Sequence, residues 1–252
     1  MIKKNKLFAF FLMLLFFSSC STKKDILYFN DINVNDQDKV IFSASKIQIN
    51  DILSITITSG ATEIATLYNL AQSPTSTTNV GYLVNTEGMI TMPVLGKIKA
   101  KDLTLIELEN YLIKKLKEED HLTDPIVIVR VLNAKFTILG EVHRPGTYTF
   151  SEENINVLQA LGYAGDLTIN GERQNVMVIR EENNIKTYTT IDLTSKKWFS
   201  SPYYYIKPND VIYVTPNGSK VKEAGYIGSL GSFLSVISIS LSLALTIIVL
   251  SK

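Results

Sequence analysis

The chain has 252 residues, enough for one or two domains with appended segments. Its formal net charge of +1 gives no electrostatic reason to expect nucleic-acid binding. One cysteine and two histidines nearly exclude a Cys/His metal site and a disulfide framework, and the carboxylates show no spacing that singles out a catalytic pair. We therefore predict no catalytic residue, no metal site, no cofactor and no enzymatic activity.

The first 19 residues have the composition of a secretory targeting segment. Three lysines lie among the first six residues, and residues 7–17 form an apolar run too short to span a membrane as a mature helix. The following Phe17-Ser18-Ser19-Cys20 resembles a bacterial lipobox, although Phe17 stands where leucine is usual. We expect residues 1–19 to be a lipoprotein signal peptide and Cys20 to be lipidated. The alternative is an ordinary signal peptide with an incidental cysteine.

A polar tether at 20–45 precedes a first folded unit, which we place at 46–132. Residues 47–58 alternate between apolar and polar side chains around Asn50-Asp51, a pattern that predicts a strand, a turn and a second strand. The next stretch, 59–80, is rich in Ser, Thr and Asn and predicts an unusually long loop.

The pattern sharpens in the second half of this unit. Gly88 lies in a turn between two alternating runs, and Thr104 with Glu107 forms a capping box in front of a helix. The apolar face of that helix carries four leucines: Leu105, Leu108, Leu112 and Leu116. Pro125 then opens a predicted strand at 126–131.

A second folded unit is predicted at 134–216. Residues 136–150 read as a strand, a turn at Pro145-Gly146 and another strand. A short helix follows at about 156–164, with Gly165 placed to cap it, and the unit ends with a strand at 211–216.

Four aromatic residues of this unit have two possible roles. Tyr203, Tyr204, Tyr205 and Trp198 could stack on sugar rings. Aromatic side chains also favour strands and cover hydrophobic cores, and this is the interpretation that we prefer.

After a linker at 217–229, residues 230–251 predict a transmembrane helix. Residues 231–250 carry no charge and reach roughly 30 Å as a helix, the thickness of a bilayer's hydrocarbon core. Five hydroxyl residues fall within an arc of roughly 120°: Ser232, Ser235, Ser238, Ser242 and Thr246. This seam could face a pore or neighbouring helices, or its hydroxyls could simply bond to their own helix.

The first unit resembles the polysaccharide export domain of Wza-type outer-membrane proteins. The resemblance rests on spaced residues across 47–131: Asp51-x-Leu53-x-Ile55, Tyr82-x-Val84, Gly88-x-Ile90-x-x-Pro93-x-Leu95-Gly96-x-Ile98, Thr104-x-x-Glu107-Leu108-Glu109 and Pro125-x-Val127-x-Val129. Asn50 and Asp102 depart from the glycines usual in this family. Both residue types tolerate left-handed or turn backbones, so we expect local variation only.

The second unit looks like one copy of the soluble-ligand-binding β-grasp (SLBB) module that follows the export domain in Wza-type proteins. It carries Gly140-Glu141-Val142, Arg144-Pro145-Gly146-x-Tyr148, Leu158-x-Ala160, Ala164-Gly165 and Asn209-Asp210-Val211-Ile212-x-Val214. The predicted fold class is therefore α+β, a polysaccharide export domain followed by a β-grasp-like SLBB domain, with a C-terminal transmembrane helix.

This resemblance implies an outer-membrane, lipid-anchored protein whose bulk lies in the periplasm and whose copies form a homo-oligomeric ring. Capsular polysaccharide or exopolysaccharide would pass through its lumen and a helical barrel pore. The expected partners are outer-membrane lipid, the exported polysaccharide and an inner-membrane polysaccharide co-polymerase, but not nucleic acid. The alternative is a monomeric lipoprotein whose β-grasp domain binds periplasmic saccharide or peptidoglycan.

Overall fold

The computed structural model describes residues 23–33, 35–60, 62–70, 81–182, 185–223 and 230–250. The predicted signal peptide at 1–19 and Cys20 lie outside these residues. Two separate hydrophobic cores are present, one built from residues 47–129 and one from residues 134–214. The described part of the chain therefore contains two folded domains in the order that the patterning predicted.

The first domain combines two small sheets with one long helix. In chain order its elements are β1 (Ile52–Thr58), α1 (Thr62–Thr66), β2 (Tyr82–Leu83), β3 (Met89–Met92), β4 (Gly96–Lys99), α2 (Leu105–Glu118) and β5 (Ile126–Val131). An antiparallel sheet has the order β2-β1-β5, and β3 pairs with β4 in a hairpin. The stretch predicted as loop thus contains a short helix, α1.

The helix α2 begins where the capping box predicted. The Glu107 backbone N–H donates to Thr104 Oγ1 at 3.2 Å, and the Thr104 N–H donates to Glu107 Oε2 at 2.7 Å. These two bonds satisfy donors that a helix start otherwise leaves unpaired. Three of the four predicted leucines, Leu108, Leu112 and Leu116, are fully buried. The box and the apolar face together fix where α2 starts and which side packs inward.

The second domain is a five-stranded sheet with one covering helix. Its elements are β6 (Lys135–Gly140), β7 (Gly146–Thr149), β8 (Ile155–Asn156), α3 (Val157–Tyr163), β9 (Gly171–Glu182), β10 (Ile185–Ile191), β11 (Tyr205–Ile206) and β12 (Val211–Pro216). The sheet order is β10-β9-β12-β6-β7; β12 and β6 run parallel and the other pairs are antiparallel. Strands β8 and β11 form a separate two-stranded ribbon.

A glycine is required where β6 and β12 meet. Gly140 has φ +88°, and a Cβ built there would lie 2.0 Å from the Val214 carbonyl oxygen. Any side chain would therefore clash with the backbone of the neighbouring strand, in addition to the cost of the left-handed conformation. This clash explains why the Gly140-Glu141-Val142 pattern begins with a glycine.

Both departures from the expected glycines adopt left-handed backbones. Asn50 has φ 71° and Asp102 has φ 72°. Asn and Asp are the non-glycine residues that visit this region most easily. The prediction that these are local variations is confirmed in backbone geometry.

The two domains are joined directly at Asn133. Its Oδ1 accepts from the Ile52 N–H at 2.8 Å, and its Nδ2 donates to the Asn50 carbonyl at 2.9 Å. Across the junction, Asn209 Nδ2 donates to Gln48 Oε1 at 3.0 Å. The start of β1 is therefore bonded to the segment that connects the domains.

We name residues 23–33 and 35–45, the described part of the predicted tether, the strap. Although the strap precedes the first domain, it lies along the second. The Phe29 N–H donates to the Leu193 carbonyl at 3.1 Å, and the Asn30 N–H donates to the Thr194 carbonyl at 2.7 Å. Further along the strap, Phe42 packs edge-on against Tyr205, with ring centroids 5.9 Å apart.

The final helices are α4 (Gly218–Glu223) and α5 (Leu230–Leu250). The helix predicted near 230–251 forms, but the transmembrane part of the prediction is wrong. Among the described residues, no helix is both long and apolar enough to cross a membrane. Four serines near the middle of α5, Ser235, Ser238, Ser240 and Ser242, lower the hydropathy of this helix.

Candidate functional site

The hydroxyl side chains of α5 that the structure describes bond mainly to their own helix. Ser235 Oγ donates to the Gly231 carbonyl at 2.8 Å, Ser238 Oγ to the Ser235 carbonyl at 2.9 Å, and Thr246 Oγ1 to the Ser242 carbonyl at 2.8 Å. These are the local bonds that serine and threonine make within helices. Each of these hydroxyl protons therefore takes part in a hydrogen bond within the helix. Each hydroxyl oxygen still has lone pairs that could accept a hydrogen bond from another group.

The predicted seam and the apolar residues of α5 are both exposed in a single chain. Phe233, Leu234, Ile239, Leu241 and Leu243 each expose more than half of their surface. The structure places Ser235, Ser238, Ser242 and Thr246 on this exposed helix. Ser232 lies within α5, and its side chain is outside the described part. The function of the seam stays a prediction.

Two cavities flank the end of the strap at the junction between the domains. The first, of about 340 Å³, is lined by residues of both domains, including Glu109 of α2, Arg130 of β5, and Phe150 and Glu152 of the second domain. The second, of about 680 Å³, is lined by charges of both signs: Lys46, Asp51, Lys101, Asp102, Lys135, Glu181, Glu182 and Lys207. Neither lining contains a histidine or a cysteine, so neither carries a Ser-His or Cys-His pair.

Asp51 borders both cavities and is 5% exposed. Its Oδ2 accepts from the Gln48 N–H at 2.8 Å, which closes the turn before β1. Burial raises the pKa of this carboxyl, and the Gln48 bond opposes that rise. Asp51, the aspartate of the export-domain pattern, is therefore explained as the residue that closes the turn before β1.

The edge of the first sheet is closed by a side chain rather than by another strand. The Val129 N–H of β5 donates to Glu109 Oε1 at 2.9 Å. An open strand edge is a template for pairing with other chains, and a side-chain acceptor blocks part of it. Ile126 and Ile128 of β5 nevertheless stay largely exposed.

The aromatic residues of the second domain form part of its core. Trp198 is 6% exposed, and its ring contacts Phe199 at 5.0 Å and Tyr204 at 5.5 Å between centroids. Phe29 of the strap stacks over Trp198 at 6.5 Å, with an angle of 28° between the planes. With Phe29 of the strap in place, Trp198 is buried among core residues, as the preferred interpretation predicts.

A buried ion pair organises the turn before β12. Arg180 Nε and Nη2 donate to the two carboxylate oxygens of Asp210 at 3.0 and 2.7 Å. The remaining guanidinium donors reach the Pro202 and Tyr205 carbonyls at 3.1 and 2.8 Å, and the Tyr203 ring lies 4.6 Å from the guanidinium carbon. Burial raises the pKa of Asp210, while the hydrogen bonds from Arg180 oppose the rise. Because every charge is paired within the fold, this cluster is structural. The sequence analysis did not find it, since Arg180 and Asp210 are 30 residues apart.

The described residues contain no group of three His, Cys, Asp or Glu side chains placed to hold a metal ion.

His143 and its near neighbour Glu141 bind to different groups. His143 Nδ1 lies 3.1 Å from the Asp166 carbonyl oxygen. Its neighbour Glu141 accepts from the Thr168 hydroxyl at 2.7 Å. The two side chains therefore have separate partners.

Two curated proteins resemble the chain. The EPS I polysaccharide export outer membrane protein EpsA of Ralstonia solanacearum is 27% identical over 159 residues, which cover 58% of this chain and 42% of that protein. The protein of the same name from Ralstonia nicotianae is 29% identical over 121 residues, covering 46% of this chain and 31% of that protein. The matched region spans less than half the length of these relatives.

Two family matches agree with the division into two domains. Residues 42–132 match the family described as polysaccharide biosynthesis/export protein, and residues 135–187 match the SLBB domain. Neither description is that of an enzyme family. The chain therefore carries a polysaccharide biosynthesis/export domain followed by an SLBB domain, and the resemblance to Wza-type export proteins that the sequence indicated is confirmed.

Proposed function

We propose that this protein is an outer-membrane component that exports capsular polysaccharide or exopolysaccharide. The observation that carries the proposal is the order of the two domains, export domain at 42–132 and SLBB domain at 135–187. The two relatives named as polysaccharide export outer membrane proteins support it. The protein binds and guides its polymer and performs no chemistry on it. Energy and gating come from an inner-membrane polysaccharide co-polymerase.

Within this proposal the copies assemble into a homo-oligomeric ring, and the exposed apolar side chains of α5 are covered by neighbouring copies. An apolar helix surface of this extent is costly in water, so a single chain would not leave it uncovered. Small hydroxyl residues allow helix backbones to approach closely, and this places Ser235, Ser238 and Ser242 at the contact. Membrane attachment comes from acyl chains on Cys20, whose lipidation is part of the proposal.

The mass of the full chain, gently extracted in detergent, separates the exporter from the alternative of a monomeric binding lipoprotein. A ring of several copies with a central cavity in negative-stain images supports the exporter. A variant lacking 231–252 then shows whether α5 is needed for closure. A monomer at high concentration in both forms would favour the binding lipoprotein.

The chain offers a matched pair of variants for the seam. Ser235→Leu with Ser238→Leu places two bulky side chains on the proposed contact, and we expect it to lower the mass of the assembly. Ser240→Leu adds the same kind of side chain outside the arc and should leave the mass unchanged. If both variants form assemblies of the same mass, the hydroxyl seam is not the contact between copies.

A further inference from the structure

We propose that the surface beneath Tyr28 and Phe29 of the strap is a binding site for a saccharide ring, which the strap covers reversibly. We define this surface, the Trp198 pocket, by Asp166, Arg173, Trp198, Phe199 and Tyr204 of the second domain. The inference rests on the proposed function, because it assigns a class of ligand to the exporter's second domain.

The two neighbouring strap rings cover two adjoining parts of the pocket. Phe29 covers the aromatic part, where its centroid lies 6.5 Å from that of Trp198 and 5.3 Å from that of Phe199. Tyr28 covers the polar part, where its hydroxyl donates to Asp166 Oδ1 at 2.5 Å. The pocket is therefore closed by one dipeptide of the chain itself.

Two buried donors of the pocket have no partner while the strap is in place. In the part of the chain that the structure describes, Trp198 Nε1 and Arg173 Nε are buried and have no hydrogen-bond partner, although both side chains are only 6% exposed. Arg173 otherwise donates to the carbonyls of Thr168 and Gly171 at 2.8 and 2.7 Å. Buried polar groups are normally paired, so the strap is an imperfect occupant.

The strap also holds a strained backbone where it covers the pocket. Phe29 has φ 54°, the left-handed region, which is uncommon for a bulky aromatic residue. Several of the bonds that hold the strap lie at the exposed surface, including Ser195 Oγ to Asp31 Oδ2 at 2.6 Å and Lys196 Nζ to Asp36 Oδ2 at 2.6 Å. Exposed polar bonds are weak because water competes for them. Strain and weak surface bonds favour release of the strap, which the two backbone hydrogen bonds at Phe29 and Asn30 oppose.

The chemistry of the uncovered pocket suits a saccharide better than an apolar group. The Phe29 ring stacks on Trp198 with 28° between the planes, so the face of Trp198 is the surface on which the carbon–hydrogen face of a sugar ring would stack once the strap leaves. Its hydroxyls would accept from Trp198 Nε1 and Arg173 Nε and donate to Asp166, so the unpaired donors would gain partners. An aliphatic or aromatic occupant has no acceptor to offer these donors.

The experiment uses the full chain in detergent and oligosaccharides made by partial hydrolysis of the exopolysaccharide of the cells that produce the protein. Trp198 is the sole tryptophan, so its fluorescence reports the pocket directly. Tyr28→Ser with Phe29→Ser uncovers the pocket. We expect a longer emission wavelength and an apparent affinity for the oligosaccharides at least about tenfold above that of the unaltered chain, because a pocket that is mostly covered binds in proportion to its open fraction.

A matched control is available in the same strap. Phe42 is 54% exposed and contacts Tyr205, away from Trp198. Phe42→Ser should change neither the emission nor the affinity. In the uncovered variant, Trp198→Phe keeps an aromatic ring and removes the indole donor, and calorimetry should then show at least about threefold weaker binding.

A milder variant keeps the test decisive if the double serine variant fails to fold. Asp31→Asn with Asp36→Asn weakens the surface bonds and leaves both strap rings in place, and its oligosaccharide affinity should exceed that of the unaltered chain. No affinity gain in any folded strap variant, or a gain equal to that of Phe42→Ser, would overturn the pocket. Loss of export on removal of the protein, together with such a result, would leave the proposed function standing and refute the pocket alone.

Discussion

Replacing Arg180 by methionine should destabilise the second domain severely. The side chains of Arg180 and Asp210 are 5% and 1% exposed, and the guanidinium provides the partners of both carboxylate oxygens. After Arg180→Met, Asp210 Oδ2 still accepts from the Lys207 backbone N–H at 2.9 Å, while Oδ1 loses its Arg180 donor. An uncompensated buried charge of this kind costs about 3–5 kcal/mol, a large part of the roughly 5–15 kcal/mol that holds a domain together.

The assay is urea unfolding followed by Trp198 fluorescence. Trp198 belongs to the hydrophobic core of the second domain, the domain that contains the ion pair, so its signal reports the affected domain rather than the whole chain. Lys186→Met is the matched control, because Lys186 pairs with Glu181 at 3.4 Å with side chains 61% and 55% exposed. Exposed pairs contribute up to about 1 kcal/mol. Equal losses in the two variants would refute the reasoning.

The pH dependence of Arg180→Met supplies a second check. Burial already raises the pKa of Asp210, and without the opposing bonds from Arg180 it rises further. A carboxyl whose pKa is higher in the folded state than in the unfolded state stabilises the fold at low pH. This contribution is lost as the pH rises from the unfolded-state pKa to the folded-state pKa. The deficit of the variant should therefore be smallest near pH 4 and grow toward pH 7. A deficit that shrinks as pH rises would contradict this account.

Three further predictions concern the two cores and the strap. Phe136→Ala removes a fully buried ring and should cost about 3–5 kcal/mol in urea unfolding followed by Trp198 fluorescence; a loss below about 1 kcal/mol would contradict its place in the core. Thr104→Ala removes the cap of α2 and should cost about 1 kcal/mol in thermal unfolding followed by circular dichroism, while Thr104→Ser should cost less. The hydrogen bond from Lys196 lowers the pKa of Asp36, so its contribution to strap docking is present above the ordinary aspartate pKa and is lost as pH falls through the lowered value. Trp198 emission should then move to longer wavelength below about pH 4, and an emission that stays constant to pH 2 would contradict the role of this bond.

Local sequence signals predicted the elements that depend on local chemistry. The capping box at Thr104 and Glu107 sets the start of α2, because its bonds join residues three positions apart. Asn50 and Asp102 have positive φ values, which residues of these two types tolerate. The start of α2 and several strands could therefore be read from short patterns, whereas α1 lies in a stretch predicted as loop and the strand predicted before Asn50 does not form.

Contacts between distant residues could not be read in this way. The strap docks on the second domain through pairs such as Ser195 with Asp31, which are 164 residues apart. Its many polar residues predicted a tether. The apolar runs 26–29 and 40–42 indicate that it packs on another part of the molecule, but a local pattern does not identify a partner as distant in sequence as Trp198. The buried ion pair of Arg180 and Asp210 is hidden for the same reason.

The C-terminal helix shows a different limit of pattern reading. Absence of charge over 231–250 predicted a membrane span, and the helix indeed runs from Leu230 to Leu250. The hydroxyl groups at Ser235, Ser238 and Thr246 bond to backbone carbonyls of the same helix, which satisfies them without a neighbour. The absence of charge therefore predicted correctly that a helix forms, but it did not predict what surrounds that helix.

The measurement that tests the central claim most directly is the amount of polysaccharide on the surface of cells from which this protein has been removed. Export predicts that surface polysaccharide is lost, that polymer is retained inside the envelope, and that the unaltered chain restores the surface material. An unchanged amount of surface polysaccharide in cells without the protein would contradict the account.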